Sequence, residues 1–455
     1  MISRARKIDK DILSLFQRVG RASLVYDIQD SHSGNMSVAL KDKAEKDGIF
    51  ITAAGSQKGD LEPDQICLLP SGRSDRGEAR PSSETNVHRH VLSLPGVGAV
   101  VHAHAKDLTV ATLDDDEKPS RPPDFVPVDP LGFHHLGDHI HVDWISVPSG
   151  SPEMAALIPK RLAVHPVTVV QAHGIFARGR TLTEAFFFAC VANNAGAVVR
   201  AAERLGIDVE ALRNEVKSGP AAFFSHPPNP YAIAGDEIRQ FPEDVELTRE
   251  FWKAGGRIFE SRLSPFHTGS MSARGGNRLL YAPKASMPRD LPGPLLRLGL
   301  NPEPDDPPEV RLHKTICAET DVRSVMHCYL PEAEAHAHFR YPGEDAAADR
   351  IIAIDAEGSY LCPVVPIVPA GVDVESLIRS LRQYKVVVFR GGGVWAVGLR
   401  SLSEALHHLS SLRDICLYRI GAFERGLDLR KTEPKKAKKW QMKGRTEWPK
   451  SFSVL

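Results

Sequence analysis

The sequence predicts a mixed α/β protein in which one scaffold is built twice. Three observations carry that prediction. Short apolar runs end in histidines, as buried strands end at a site. Segments led by Thr or Ser with an early glutamate open helices. The same signatures then recur in the same order in both halves of the 455-residue chain.

The bulk numbers narrow the function classes. A chain of 455 residues suggests two to three domains with sizeable cores. Fifty-seven basic and 57 acidic residues leave no net formal charge, so no global field favours nucleic acid or a membrane surface. No apolar stretch reads as a membrane span. The N-terminus, Met1 to Lys10, is basic, but an amphipathic segment follows it rather than a signal-peptide core. The six cysteines form no Cys-x-x-Cys pair and read as reduced, mostly buried thiols of a cytoplasmic protein.

The first strand that matters is Gly98-Ala99-Val100-Val101, which follows a Pro95-Gly96 turn. His102 and His104 emerge at its end. Side chains at i and i+2 of a strand share a face, so both imidazoles can reach one ion. A second strand, Val167 to Ala172, ends in His173. Gly174 follows and lets backbone approach a site closely. Glu84 lies upstream of both. Three nitrogens with an open position make the catalytic rather than the closed structural pattern, with bonds of about 2.0–2.1 Å for zinc. The same His-x-His spacing also occurs at His88/His90, His139/His141 and His336/His338. Surface or satisfied core histidines are therefore the alternative, and the flanking pattern decides.

That pattern is a duplication. Glu84 precedes His88 by four positions and His102 by 18, and Glu309 precedes His313 and His327 by the same intervals. Ser33-Gly34-Asn35-Met36-Ser37 is matched by Thr268-Gly269-Ser270-Met271-Ser272. Arg180-Thr181-Leu182-Thr183-Glu184-Ala185 is echoed by Arg400-Ser401-Leu402-Ser403-Glu404-Ala405. Each of these opens a helix with Thr or Ser near the N-cap and Glu in the first turn. The halves differ in their ligands. Tyr329 stands where the second strand histidine would be, and the third falls at Gly392. Cys328 points to the opposite strand face, so no metal centre is expected in the second half. Residues 1–218 read as the catalytic domain, 219–243 as a Pro-rich linker, 244–425 as the degenerate copy and 426–455 as a basic extension carrying Lys435 to Trp440. Asp114 to Lys118 reads as a solvated loop.

These residues resemble the class II aldolase/adducin family, the group containing fuculose-phosphate aldolase and ribulose-phosphate 4-epimerase. The matching signatures are Gly34-Asn35-Met36-Ser37, Ile51-Thr52-Ala53-Ala54-Gly55, Ser82-Ser83-Glu84 with His88, His102-x-His104, and His173-Gly174 before the Glu184-Ala185 helix. They cover about residues 10 to 205; about 245 to 425 resembles a divergent, adducin-like copy.

The resemblance implies a three-layer α/β/α sandwich with a central, mainly antiparallel sheet. It implies that His102, His104 and His173 hold Zn2+, or Mn2+ or Co2+, with Glu84 as the acid/base beside the ion. Asn35, Gly55, Ser82 and Ser83 would form an anion pocket, holding phosphate in sugar-phosphate members; Gly-Asn and Ser-Ser also serve as plain turn chemistry. The shared chemistry is a metal-dependent lyase reaction of aldolase or decarboxylase type through a metal-stabilised enediolate or carbanion, on a small oxygenated substrate bearing phosphate or carboxylate. Epimerase or dehydratase chemistry on the same site, or a non-catalytic adducin-like assembly role, are the alternatives. Members form fourfold rings, so this tandem chain is expected as a homodimer making a pseudo-fourfold ring, or as a tetramer. Arg311 and Lys314 are expected at the surface, the alternative being walls for the active half. The sequence departs from the family in two places. No tyrosine follows the His-x-His strand between Asp124 and Gly137, leaving Asp129, His134 and His135 as replacements, and Ala54 stands where a threonine is common.

Overall fold

The structure, a computed structural model, describes residues 8–40, 48–70, 80–114, 123–145, 148–218, 236–237, 244–264, 269–283, 295–369 and 374–432. The expected linker lies outside these residues except for Asp236–Glu237. The basic run Lys435 to Trp440, Thr268, and residues 115–118 of the acidic loop also lie outside them. Contacts divide the chain into two units. The first is Met1–Pro127 with His135–Gly196; the second is Val128–His134 with Ala197–Leu455.

In the first unit α1 (Lys10–Val25) leads into β1 (Asn35–Leu40), β2 (Gly48–Thr52) and β3 (Ile66–Pro70). Next come α2 (Thr85–Leu92), β4 (Ala99–Ala103), α3 (Lys106–Ala111), α4 (Pro130–Leu136, mostly in the second unit), β5 (Val142–Asp143), α5 (Pro152–Val164), β6 (Val167–Val170), β7 (Gly174–Gly179) and α6 (Leu182–Arg204), whose end from Ala197 belongs to the second unit. The sheet runs β3-β2-β1-β4-β7-β6-β5, antiparallel except for the parallel β5–β6 pair.

After α7 (Val209–Ser218) and β8 (Asp236–Glu237), the second unit repeats the plan. It runs α8 (Val245–Glu260), β9 (Ser270–Gly275), β10 (Arg278–Ala282), β11 (Leu296–Gly299), α9 (Pro308–Glu319), β12 (Ser324–Cys328), α10 (Pro331–Ala337), β13 (Arg350–Ile352), α11 (Ala356–Leu361), β14 (Val364–Val368), α12 (Val374–Leu381), β15 (Val386–Phe389), β16 (Gly393–Gly398) and α13 (Leu402–Glu424). The order β11-β10-β9-β12-β16-β15-β14 reproduces the first sheet strand for strand, its one parallel pair included; β8 and β13 extend the edges. The duplication read from the sequence is therefore a duplication of topology.

The repeated helix signature works as capping chemistry. The Glu184 amide donates to the Thr181 hydroxyl at 3.1 Å, and the Glu404 amide to Ser401 at 3.3 Å. In return each glutamate accepts from the backbone amide four residues before it, Arg180 or Arg400. Each cap satisfies otherwise orphaned donors, and losing one costs about 1 kcal/mol.

Strand alternation sorts side chains onto two faces. In the second unit Met326, Val386, Val388 and Ala396 pack with residues of α8 and α13, while Val325, Val387, Phe389 and Trp395 pack with residues of α9 and α12. In the first unit Val100 and Phe176 join Val87 and Val91 of α2 and Ile158 and Leu162 of α5. The α6 helix is long and apolar enough to cross a bilayer by length and composition, yet 72% of its apolar window is buried inside the protein. Its apolar residues serve a core.

Candidate metal centre

His102 lies in β4, opposite Asn35 of β1 and Phe176 of β7. Its ring stacks on Phe176 with centroids 4.3 Å apart, and Nδ1 donates to the Ile175 carbonyl at 2.9 Å. A carbonyl only accepts, so Nδ1 carries the proton and Nε2 keeps its lone pair. His104 follows just beyond the strand. His173 sits on the tight β6–β7 turn, its amide donating to the Val170 carbonyl. Ala172 takes φ 57° there, a left-handed conformation costing about 1 kcal/mol. Gly174 (φ 150°) is required, because a Cβ would stand 2.5 Å from the Ala103 carbonyl oxygen. The turn is thus pressed onto the end of the His102–His104 strand.

The result is a convergence. One ligand nitrogen from each of His102, His104 and His173 lies within 4.8 Å of the others. Burial lowers the proton affinity of all three rings, so they stand neutral at neutral pH, the form that ligates a metal. His102 is buried, while the His173 side chain is 25% exposed, which leaves an open side. Three neutral imidazoles suit zinc and neighbouring divalent ions.

Glu84 caps α2 and faces the same point. Its Oε2 accepts from Asn35 Nδ2 at 2.6 Å and stands 3.4 Å from His102 Nε2. Its Oε1 accepts from the Ser149 hydroxyl at 2.7 Å and stands 3.7 Å from His173 Nε2. Burial alone would push this carboxyl up. The hydrogen bonds from Asn35 and Ser149 favour the charged form, and Glu84 is held at about 2, ionised at neutral pH.

The anion-pocket candidates are brought to one strand edge but not to equal use. Ala53 bridges Pro81, and the Ala54 amide donates to the Arg80 carbonyl, which sets the Gly55 turn beside the segment of Ser82 and Ser83. Gly55 has φ +70° with nothing within 4 Å of where a Cβ would lie, so space is open there. Ser83 is exposed; Ser82 is buried and accepts from the Glu84 amide. Asn35 turns its amide onto Glu84. Two residues escaped the sequence reading. Ser149 had only a Pro-Ser-Gly turn as its signal. Lys58, which is buried, donates to the carbonyls of His32 and Ser56 and to the Ser56 hydroxyl, tying the Gly55 turn to the segment before Asn35; burial lowers it to about 8.

Two of the three candidates for the missing tyrosine, His135 and Asp129, have other partners. His135 packs edge-on against Phe187. Asp129 accepts from the Gly132 amide at the start of α4, while its Oδ1 is buried without a hydrogen-bond partner. Burial lifts its carboxyl to about 7. A carboxyl raised in the folded state keeps its proton after the unfolded chain has lost it. Stability from this group therefore falls as pH rises from about 4 to 7, by at most ~4 kcal/mol. Asp129→Asn is expected to lose less stability than the parent between pH 5.5 and 8 in urea unfolding. Parallel losses in both proteins would remove Asp129 as the cause.

In the second unit the counterpart site is closed by its own bonds. His327 Nδ1 meets Glu309 Oε1 at 2.7 Å and Nε2 donates to the Gly392 carbonyl at 2.9 Å. The ring stacks on Trp395 as His102 does on Phe176. The Ser37–His88 pair (2.6 Å) recurs as Ser272–His313 (2.7 Å), so these histidines are core hydrogen-bonding groups in both halves. Cys328 is buried, its thiol pushed up to about 12 by burial. Lys314 is not at the surface: it is buried and pairs with Asp306 at 2.8 Å, whereas Arg311 is exposed as expected and donates to the Pro304 carbonyl at 2.5 Å. His327→Ala strips Glu309 of a buried partner and is expected to cost about 3–5 kcal/mol while leaving metal content unchanged. Loss of an ion with this variant would contradict a closed second site.

Comparison with known proteins follows the same division. Residues 14–198 and again 249–420 match the family described as Class II Aldolase and Adducin N-terminal domain. A 5-methylthioribulose-1-phosphate/5-deoxyribulose-1-phosphate aldolase from Rhodospirillum rubrum is 32% identical over 189 residues, covering 40% of this chain and 70% of that one. An L-fuculose phosphate aldolase from Methanococcus vannielii is 30% identical over 166 residues, 36% of this chain and 82% of its own. A methylthioribulose-1-phosphate dehydratase from Bacillus subtilis is 27% identical over 158 residues, 34% and 75%. Among solved structures, the L-fuculose-1-phosphate aldolase of Thermus thermophilus is similar at 25% identity and TM-score 0.38, covering 43% of this chain and 95% of that one.

Proposed function

The chain belongs to the class II aldolase and adducin family and is a class II aldolase-like metal-dependent lyase, and from that premise we propose that its first half cleaves a phosphorylated ketose at the His102–His104–His173 centre. The observation that supports this most is the convergence of three neutral imidazoles with an ionised Glu84 fixed beside them. A divalent ion held there, zinc first, supplies Lewis-acid stabilisation of negative charge on substrate oxygens. The chain's own residues do the rest. Glu84 takes and returns the proton at the reacting carbon or hydroxyl. Asn35 and Ser149, one on each carboxylate oxygen, keep it aimed at the centre. The Gly55 turn with the Ser82 and Ser83 hydroxyls donates to the phosphate.

The named relatives act on 5-methylthioribulose-1-phosphate and L-fuculose phosphate, which points to a ketose phosphate here. Aldol cleavage is the first reading. Dehydration is the second, favoured by the dehydratase relatives. Incubating the metal-loaded protein with both phosphates, followed by NMR, separates them: cleavage releases a triose phosphate and an aldehyde, dehydration keeps the carbon chain and loses water. A fully loaded protein that turns over no phosphorylated ketose contradicts the proposal.

The remaining organisation follows the same reading. Each half is a three-layer α/β/α sandwich, with residues 1–218 as the catalytic domain and 244–425 as the divergent copy. Two chains make a pseudo-fourfold ring, which a monomer in solution scattering would exclude. The six buried cysteines, none of them in a disulfide, support a reducing, cytoplasmic setting.

A further inference from the structure

Among the described residues a second histidine triad stands apart from the first. His139, His141 and His165 each offer a nitrogen within 4.8 Å of the others. Their ring centroids lie 4.7, 4.6 and 5.1 Å apart, against 5.2, 4.8 and 5.5 Å in the first triad. The second set is the tighter one. It also lies at the other end of the sheet. His141 precedes β5 and His165 precedes β6, with Val142 paired to Val169, while His173 follows the far end of β6. His141 lies level with Thr168 and His165 before the start of β6, whereas His173 lies past its end.

The rings are held from behind. Ile140 bridges Phe125, so His139 and His141 flank a fixed residue and Asp124 comes beside them. Asp124 Oδ1 is 3.3 Å from His141 Nδ1 and Oδ2 is 3.8 Å from His139 Nε2. Asp138 Oδ1 meets His139 Nδ1 at 2.8 Å, the carboxylate–histidine pairing that orients a metal ligand and leaves Nε2 forward. The His141 carbonyl is tied to β6 by the Val169 amide and the Thr168 hydroxyl. A backbone hydrogen bond to Leu136 engages the His165 ring. The nearby Arg161 is committed to Asp143 through two bonds. Asp124 brings His139 and His141 together, and the ring of His165 completes the cluster.

We propose that His139, His141 and His165, with the Asp124 carboxylate beside them, bind a second divalent transition-metal ion that pins the edge strand β5 to the α5–β6 junction. Nitrogen donors with one carboxylate select zinc, cobalt or nickel over magnesium or calcium. The ion would cross-link three separate stretches of chain and act on stability rather than on turnover.

The test is Zn2+ titration of the full-length protein against a chromophoric chelator, with circular dichroism to verify folding. The parent should take two equivalents, and His102→Ala/His104→Ala should take one. His141→Ala/His165→Ala should also take one, and combining the two pairs should take none. The milder Asp124→Asn should weaken the second site about 10- to 100-fold with the fold intact. In the His102→Ala/His104→Ala protein, zinc should still raise the melting temperature. A single equivalent in the parent, or a folded His102→Ala/His104→Ala protein that binds no zinc, overturns the proposal. So does a His141→Ala/His165→Ala protein that still takes two equivalents.

Discussion

His102→Ala is expected to lower metal content by one equivalent per chain and turnover by at least ~1,000-fold. Lewis-acid stabilisation of developing charge is worth several kcal/mol, and each 1.36 kcal/mol is tenfold in rate. His102 is also the most constrained of the three rings. It is clamped between the Phe176 face and the Ile175 carbonyl, so neither ring flip nor tautomer change can compensate. The cavity left by a buried imidazole adds a stability cost of about 2–4 kcal/mol, so metal content must be read on folded protein. Mass spectrometry of the metal with a parallel assay checks it. Turnover retained by folded, metal-depleted protein would defeat the catalytic reading.

Glu84→Gln should separate binding from chemistry. The amide preserves size and leaves the three imidazoles in place, so the ion stays bound. It cannot accept a proton, and turnover is expected to fall about 100- to 10,000-fold. The loss should appear in kcat with KM little changed, since Glu84 acts in the transition state rather than in holding the phosphate. The amide also presents an NH2 where either Asn35 Nδ2 or Ser149 Oγ now donates, which loosens its aim. A variant keeping more than about a tenth of the parent kcat would reduce Glu84 to a positioning group.

What the sequence disclosed follows from what is local. His102 and His104 share a strand end, the Thr181 and Ser401 caps act within one turn, and the two halves carry the same intervals. Each is a relation of spacing, and spacing is what strands and helices fix. What it hid depends on distant contacts. Ser149 reaches Glu84 across 65 positions, and nothing in Pro148-Ser149-Gly150 names its target. Gly150 looks like turn chemistry until its Cβ position is seen 2.1 Å from the Ser83 carbonyl oxygen. Asn35 reads as an anion donor, but its register opposite His102 hands its amide to Glu84 instead. Lys58 and Lys314 belong to a residue type that is almost never buried unless paired; carbonyls hold the first and Asp306 the second. His139 and His141 were visible as a spacing, but His165 joins them only because α5 ends where β5 begins to pair with β6.

Anomalous diffraction at the zinc edge, on crystals of zinc-loaded full-length protein, puts the central claim to its most direct trial. A strong peak is expected about 2.0–2.1 Å from one ring nitrogen each of His102, His104 and His173. Three rings turned away from one another around an empty centre, in protein shown to be active, would contradict it.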